Sequence, residues 1–289
     1  MGITTTVITR AATISIGLLA AILNCRLIVC YRKYHNTEIT QLSTVFLTLF
    51  AHILYNISTA VNTAYSLIGM FQEVWSPPAV FWMGAAMFAS AFTVVVCNCC
   101  ITLDRIIAMR RPVRYAHQYS RYCQLATGVL MISSFAVIFG CHTLGYKDTT
   151  NATKPREPAL NFVLSVDIAQ LFLTSKTSLC VVNFVLTLLF VREIYVFLKR
   201  TQNTEVHKNI KAANQVVVVQ VLAEVILVVV PESIVIPTEY LGVRLSAIMG
   251  PFIIPMCMTY TLICAVLMTA KLRKRKAAVT VSVVTAKTC

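Results

Sequence analysis

Cys97-Asn98-Cys99-Cys100-Ile101-Thr102-Leu103-Asp104-Arg105-Ile106-Ile107-Ala108-Met109-Arg110-Arg111-Pro112-Val113-Arg114-Tyr115 is the stretch on which the reading of this chain turns. It closes an apolar run that begins at Ala79, and it closes it abruptly, with an acid beside a base and then a cluster of arginines. A helix needs only about 20 apolar residues to cross a bilayer, and positive charge just past its end marks a cytoplasmic exit. An arginine at that boundary escapes full desolvation when an adjacent carboxylate neutralises it, so Asp104 and Arg105 can form a pair whose strength depends on local water. Such a pair can open, and Arg105 can then swing toward a partner if neighbouring helix ends move. Pro112 disfavours helix at Arg111 and Tyr115 suits an interface, so a short, basic, anchored loop is expected after the run. Each residue taken singly reads as a plain helix-end marker. The spacing of all five, Asp104, Arg105, Ala108, Pro112 and Tyr115, is what points to a switch.

Composition sets the class around that stretch. With 57% hydrophobic residues, 12% charged and a mean hydropathy of +0.75, a chain of 289 residues has more apolar surface than one soluble core can use. It reads as a multi-span protein in a lipid bilayer. The net charge of +14 would suggest nucleic acid in a soluble protein, but here the basic residues fall between apolar runs, so no nucleic-acid partner is expected.

Seven runs can be marked: approximately 10–31, 41–71, 79–103, 122–145, 177–198, 216–237 and 245–269, with 270–289 as a basic, flexible cytoplasmic tail. The expected fold is therefore all-α, a single seven-transmembrane helix bundle. The first run has no small-residue cleavage site and reads as a retained signal-anchor helix. Asn24, Asn56, Asn98 and Glu224 lie inside runs, where a polar group needs a partner on another helix. Glu224 has three readings: protonated, paired across the bundle, or part of a polar site near Asn98. His52 reads as a core histidine, and no second ligand at helical spacing suggests a metal. Gly128, Ser133 and Ser134 on the fourth run suit close helix contact. Pro231 and Pro255 are expected to kink the sixth and seventh runs. Asp167 and Lys176 precede the fifth run in what reads as an outer amphipathic or extended-helix section.

Charge orients the bundle. Excluding Arg26, which lies within the first run, 18 Lys and Arg fall on the side that receives the carboxyl terminus and 6 on the other. That split places the amino terminus outside and the carboxyl terminus in the cytoplasm. Asn151-Ala152-Thr153 is a glycosylation sequon in the polar stretch between the fourth and fifth runs, which independently puts Asn151 outside the cell.

The spacing D-R-x-x-A-x-x-x-P-x-x-Y at 104–115 resembles the third-helix end and second intracellular loop of rhodopsin-like G-protein-coupled receptors. Departures narrow the resemblance. Those receptors usually tie the top of the third helix to the second outer loop by a disulfide, yet neither 71–83 nor 147–176 contains cysteine. Cys141 and Cys180 could pair, though two buried thiols fit their positions better. The fourth run lacks tryptophan, the sixth has Val228-Val229-Val230-Pro231 in place of a Cys-Trp-x-Pro box, and Pro255 and Tyr260 are five apart where the usual motif has three. Amine, peptide and opsin-type receptors are thereby disfavoured. The sixth-run sequences Lys211-Ala212-Ala213-Asn214 and Val230-Pro231-Glu232-Ser233, with the D-R-x-x-A exit, resemble the nematode serpentine chemoreceptors of the bc or xa class.

That resemblance implies sensing of an odorant or other small-molecule ligand in the plasma membrane of a chemosensory neuron, with a heterotrimeric G protein as cytoplasmic partner. It leaves a receptor dimer open beside a single chain, and it implies no cofactor. Small molecules enter such bundles where apolar walls meet a few polar groups, which selects Trp82, Met83, Phe88, Phe92, His142, Lys176, Glu232 and Ser233. Aromatic and methionine positions among these are more often plain packing. A transporter or channel-like protein is the alternative, but no internal repeat is present and the span count is odd. An intramembrane enzyme would need a paired acid or a histidine motif, and the histidines are scattered.

Overall fold

In lipid each backbone N–H and C=O must find its partner within the segment, so long apolar runs become helices. The structure, a computed structural model, describes residues 3–33, 43–72, 75–111, 114–147, 160–200, 219–231 apart from 221, 233–234 and 252–287. Its helices are α1 (Ile3–Lys33), α2 (Ser43–Gln72), α3 (Pro77–Arg110), α4 (Ser120–Leu144) and α5 (Val166–Arg200), then α6, described between 219 and 234, and α7 (Ile253–Lys287). Six of them are long and apolar enough to cross a membrane. The remaining run, 216–237, is described only in part.

The third helix is the central column. It packs against α2, α4 and α5, while α1 lies against α2 and α7. Leu27, Phe46, Leu49, Ile101, Ala265 and Met268 join α1, α2, α3 and α7 in one buried cluster, and Tyr55, Val94, Cys97, Val228, Met258 and Cys264 join α2, α3, α6 and α7 in another. Gly17 permits the close approach of α1, since a Cβ there would meet the Met258 side chain at 3.2 Å and the Asn56 carbonyl at 3.4 Å. By contrast α4 buries only Ser120, Thr127 and His142, and presents Tyr122, Leu125, Val129, Ile132 and Val137 outward, as a helix bathed by lipid can.

The two ends of the bundle differ. The basic end carries Asp104 and Arg105. At the opposite, aromatic end, Trp75, Val80 and Phe81 enclose Val163 and Leu164. There the chain leaving α4 pairs with the chain entering α5: Lys147 N–H donates to the Val163 carbonyl at 2.9 Å and Ser165 N–H to the Gly145 carbonyl at 2.8 Å. A short helical turn, Leu160–Val163, lays Leu160 on α3 at Gly84, where a Cβ would meet it at 2.8 Å. Apolar packing thus tethers this connection to α3, the task a disulfide performs in rhodopsin-like receptors. None of the ten described cysteines is in a disulfide, Cys141 and Cys180 included.

Several details bear on the expectations. Of the two readings of the section before the fifth run, the extended helix is the one present: α5 is continuous from Val166, about 50 Å long at ~1.5 Å per residue, and contains both Asp167 and Lys176. Pro255 lies in the first described turn of α7, where its missing N–H costs no bond within the described helix; the part of the seventh run before Phe252 lies outside the described residues. Pro231 follows a π-helical turn, Val225–Val229, the local widening that accompanies a proline that cannot donate to the preceding turn. The tail expected to be flexible continues α7 as helix to Lys287, in keeping with its Ala, Lys and Arg content. Gly128 has nothing within 4 Å of where its Cβ would be and Ser133 is exposed; of the three small residues on α4, Ser134 reaches α3, at 3.4 Å from Thr93 Oγ1.

Candidate functional site

At the basic end the centre is a carboxylate, not an arginine. Asp104 is 1% exposed, and its Oδ1 accepts from the Tyr115 hydroxyl at 2.7 Å while Oδ2 accepts from Thr44 Oγ1 at 2.8 Å. Arg105 Nη2 stands 3.4 Å from the same Oδ2, the longest of these three contacts. Short hydroxyl bonds to a charged acceptor are the strong kind, so α2 and the residues after α3 position Asp104. Tyr115 was expected at an interface and is instead buried. The chain resumes helix at Arg114 and widens into a π-helical turn, Tyr115–Tyr119, which delivers the phenol to the carboxylate. Burial, then the Asp104 charge and the bond it accepts, push the Tyr115 phenol well above its ordinary range, so it remains a donor at neutral pH. Ala108 is half-buried on α3, and Pro112 lies outside the described residues. At the surface, Arg110 Nη2 meets Glu193 Oε1 at 2.5 Å and ties α3 to α5.

Midway along the bundle Glu224 is 4% exposed, and its Oε1 accepts from Asn98 Nδ2 at 2.7 Å and Asn183 Nδ2 at 2.5 Å. One carboxylate therefore joins α6 to both α3 and α5. Beside it is a cavity of about 20 Å³, walled by His52, Asn98, Gln220, Glu224, Tyr260 and Cys264 among others. Asn56 is buried on α2 and its Oδ1 accepts from Thr261 Oγ1 at 2.9 Å, linking α2 to α7. Asn24, equally buried on α1, makes no hydrogen bond among the described residues.

Toward the aromatic end, rings from three helices meet. Phe88 of α3 stacks on His142 of α4 with centroids 6.0 Å apart, and Phe172 of α5 stands edge-on to both, at 4.9 Å and 5.4 Å. Phe92 approaches Phe172 at 6.2 Å. The Nδ1 atom of His142 lies 2.8 Å from the Ile138 carbonyl, which can only accept, so Nδ1 carries the proton and Nε2 faces inward without a partner among the described residues. Lys176 follows Phe172 by one turn of α5 and is half-buried, as is Met83. The structure does not bring Trp82 or Ser233 to this group. Trp82 is 49% exposed on the bundle surface against Phe81 and Phe139, and Ser233 is exposed. Glu232 and Asn151 lie outside the described residues.

Three participants escaped the sequence reading: Thr44, Asn183 and Phe172. Asn183 carried a usable signal, since it is an amide inside an apolar run. Thr44 and Phe172 carried none, because threonine and phenylalanine are ordinary in membrane helices and only the packing selects these two.

A helical membrane bundle with an acid–base pair at its basic end and a buried polar centre is consistent with the comparisons to known proteins. The search of individual curated proteins finds no significant match. The sequence model of the family described as serpentine type 7TM GPCR chemoreceptor Srbc matches residues 1–276, which span all seven runs. The chain therefore belongs to the Srbc family of serpentine seven-transmembrane G-protein-coupled chemoreceptors.

Proposed function

We propose that this chemosensory receptor sits in the plasma membrane of a chemosensory neuron with its amino terminus outside, binds a small-molecule or odorant ligand toward the aromatic end, and drives a heterotrimeric G protein from the basic end through Asp104 and Arg105. The 18 to 6 split of basic residues supports the orientation. The ring cluster of Phe88, Phe92, His142 and Phe172 supports the ligand end: apolar walls around one unsatisfied imidazole nitrogen are the makings of a small-molecule site.

The observation that carries the coupling half is the division of labour on Asp104. Its two short bonds come from Thr44 and Tyr115, so the carboxylate stays satisfied when the 3.4 Å contact to Arg105 opens. A buried charge that keeps its partners after a switch avoids the several kcal/mol that stranding it costs. Arg105 is thereby available as the moving element, and the bistable step is small enough to be biased by a ligand. Arg105→Ala is expected to reach the cell surface at near-normal levels and to change nucleotide exchange on the G protein in reconstituted membranes. Exchange equal to that of the unmutated receptor would remove the coupling role.

A further inference from the structure

His52 is 2% exposed on α2, and neither Nδ1 nor Nε2 makes a hydrogen bond among the described residues. A neutral imidazole has one N–H to donate and one bare nitrogen to accept with, and burial with both unused is costly. The ring stands edge-on to Tyr260, with centroids 5.8 Å apart, and borders the cavity beside Glu224. That cavity, at about 20 Å³, has room for one water molecule. Its polar walls come from four helices: Thr48 and His52 of α2, Asn98 and Thr102 of α3, Gln220 and Glu224 of α6, and Tyr260 of α7. A space of one-water size with polar side chains on its wall can hold a water, and such a water needs two to four partners.

The geometry points to a single structural water bound in this cavity, bridging an imidazole nitrogen of His52 to the Glu224 carboxylate. The bridge extends the cluster that already joins α6 to α3 and α5 through Asn98 and Asn183, and brings α2 into it. It makes a second hold on α6, separate from the Asp104 site and offset from it by six residues of α3, roughly 9 Å along the helix axis. Water serves here better than a direct contact, because it can donate to one group and accept from the other, and it can leave when the helices part.

A double-mutant cycle on the full-length receptor in detergent tests this by thermal unfolding midpoint, with His52→Leu, Glu224→Leu and the double variant. With the bridge present, the double variant should unfold no lower than Glu224→Leu alone, since the water then has nothing left to join to His52. Shifts that simply add would overturn the bridge. Should Glu224→Leu fail to fold, the occupant of the cavity is decided by structure alone. A structure at water-resolving resolution decides the occupant: density within hydrogen-bond reach of His52 and Glu224 supports the assignment, and an empty cavity sinks it. Neither measurement needs ligand or G protein, so both stand apart from the outcome of the Arg105 experiment.

Discussion

At its basic end α3 is held by hydrogen bonds converging on one carboxylate, from Thr44 on α2 and Tyr115 on the chain that follows. At its aromatic end it is held by packing, with Phe81 and Val80 against Val163 and Leu164, and Leu160 seated on Gly84. The first attachment is directional and can change state when one bond is traded for another. The second is non-directional, spread over many weak contacts, and gives way only by separating whole surfaces. One helix is thus held by directional bonds at one end and by shape at the other, where rhodopsin-like receptors use a disulfide.

The sharpest way to break this contrast is Asp104→Ala, which removes the one acceptor shared by Thr44, Tyr115 and Arg105. Roughly 3–5 kcal/mol of stability should go, the scale for removing one partner of a buried charge pair, read as a lower unfolding midpoint in detergent. Tyr115→Phe removes one charge-assisted bond and keeps the ring; about 1.5–3 kcal/mol is expected, with basal nucleotide exchange raised because Asp104 is less firmly positioned. A midpoint unchanged by Tyr115→Phe would mean that the phenol is not part of the lock. At the opposite end, Gly84→Val forces Leu160 off α3 and should cost about 1–3 kcal/mol while leaving basal exchange alone. That separation of readouts is the heart of the comparison: a Gly84 variant that altered exchange as Tyr115→Phe does would erase it. The smallest effect is assigned to Arg110→Ala: its pair with Glu193, exposed on the arginine side, should contribute under about 1 kcal/mol, and less as salt is added.

How much of this could be read from residues alone depends on range. The basic end was partly legible because Asp104, Arg105 and Tyr115 are close in the chain; that the chain beyond α3 brings the phenol onto the carboxylate, and so buries it, was not. Its fourth member, Thr44, is sixty residues away and chemically unremarkable, so only the packing of α2 on α3 identifies it. The mid-bundle acid announced itself, since a glutamate deep in an apolar run demands donors; Asn183 on α5 offered a signal as an amide inside an apolar run, but its pairing with Glu224 was not legible. Trp82 shows the converse failure. Residues 81 and 82 are about 100° apart around a helix, and α3 is apolar on all sides, so sequence could not tell that Phe81 turns inward and Trp82 outward. The attachment at the aromatic end was hardest, because Gly84, Leu160 and Val163 carry no charge and no motif. The missing cysteines mark the gap without revealing what fills it.

The π-helical turn at Val225–Val229 has a consequence for α6 as a whole. One surplus residue in a helix offsets everything on one side of it by about 100° relative to the other. The half bearing Glu224 and the turn bearing Val230 are thus indexed separately, like two dials on a common shaft. Excising a single residue from 225–229 would realign them, and Glu224 and Val230 could no longer both keep their present facings.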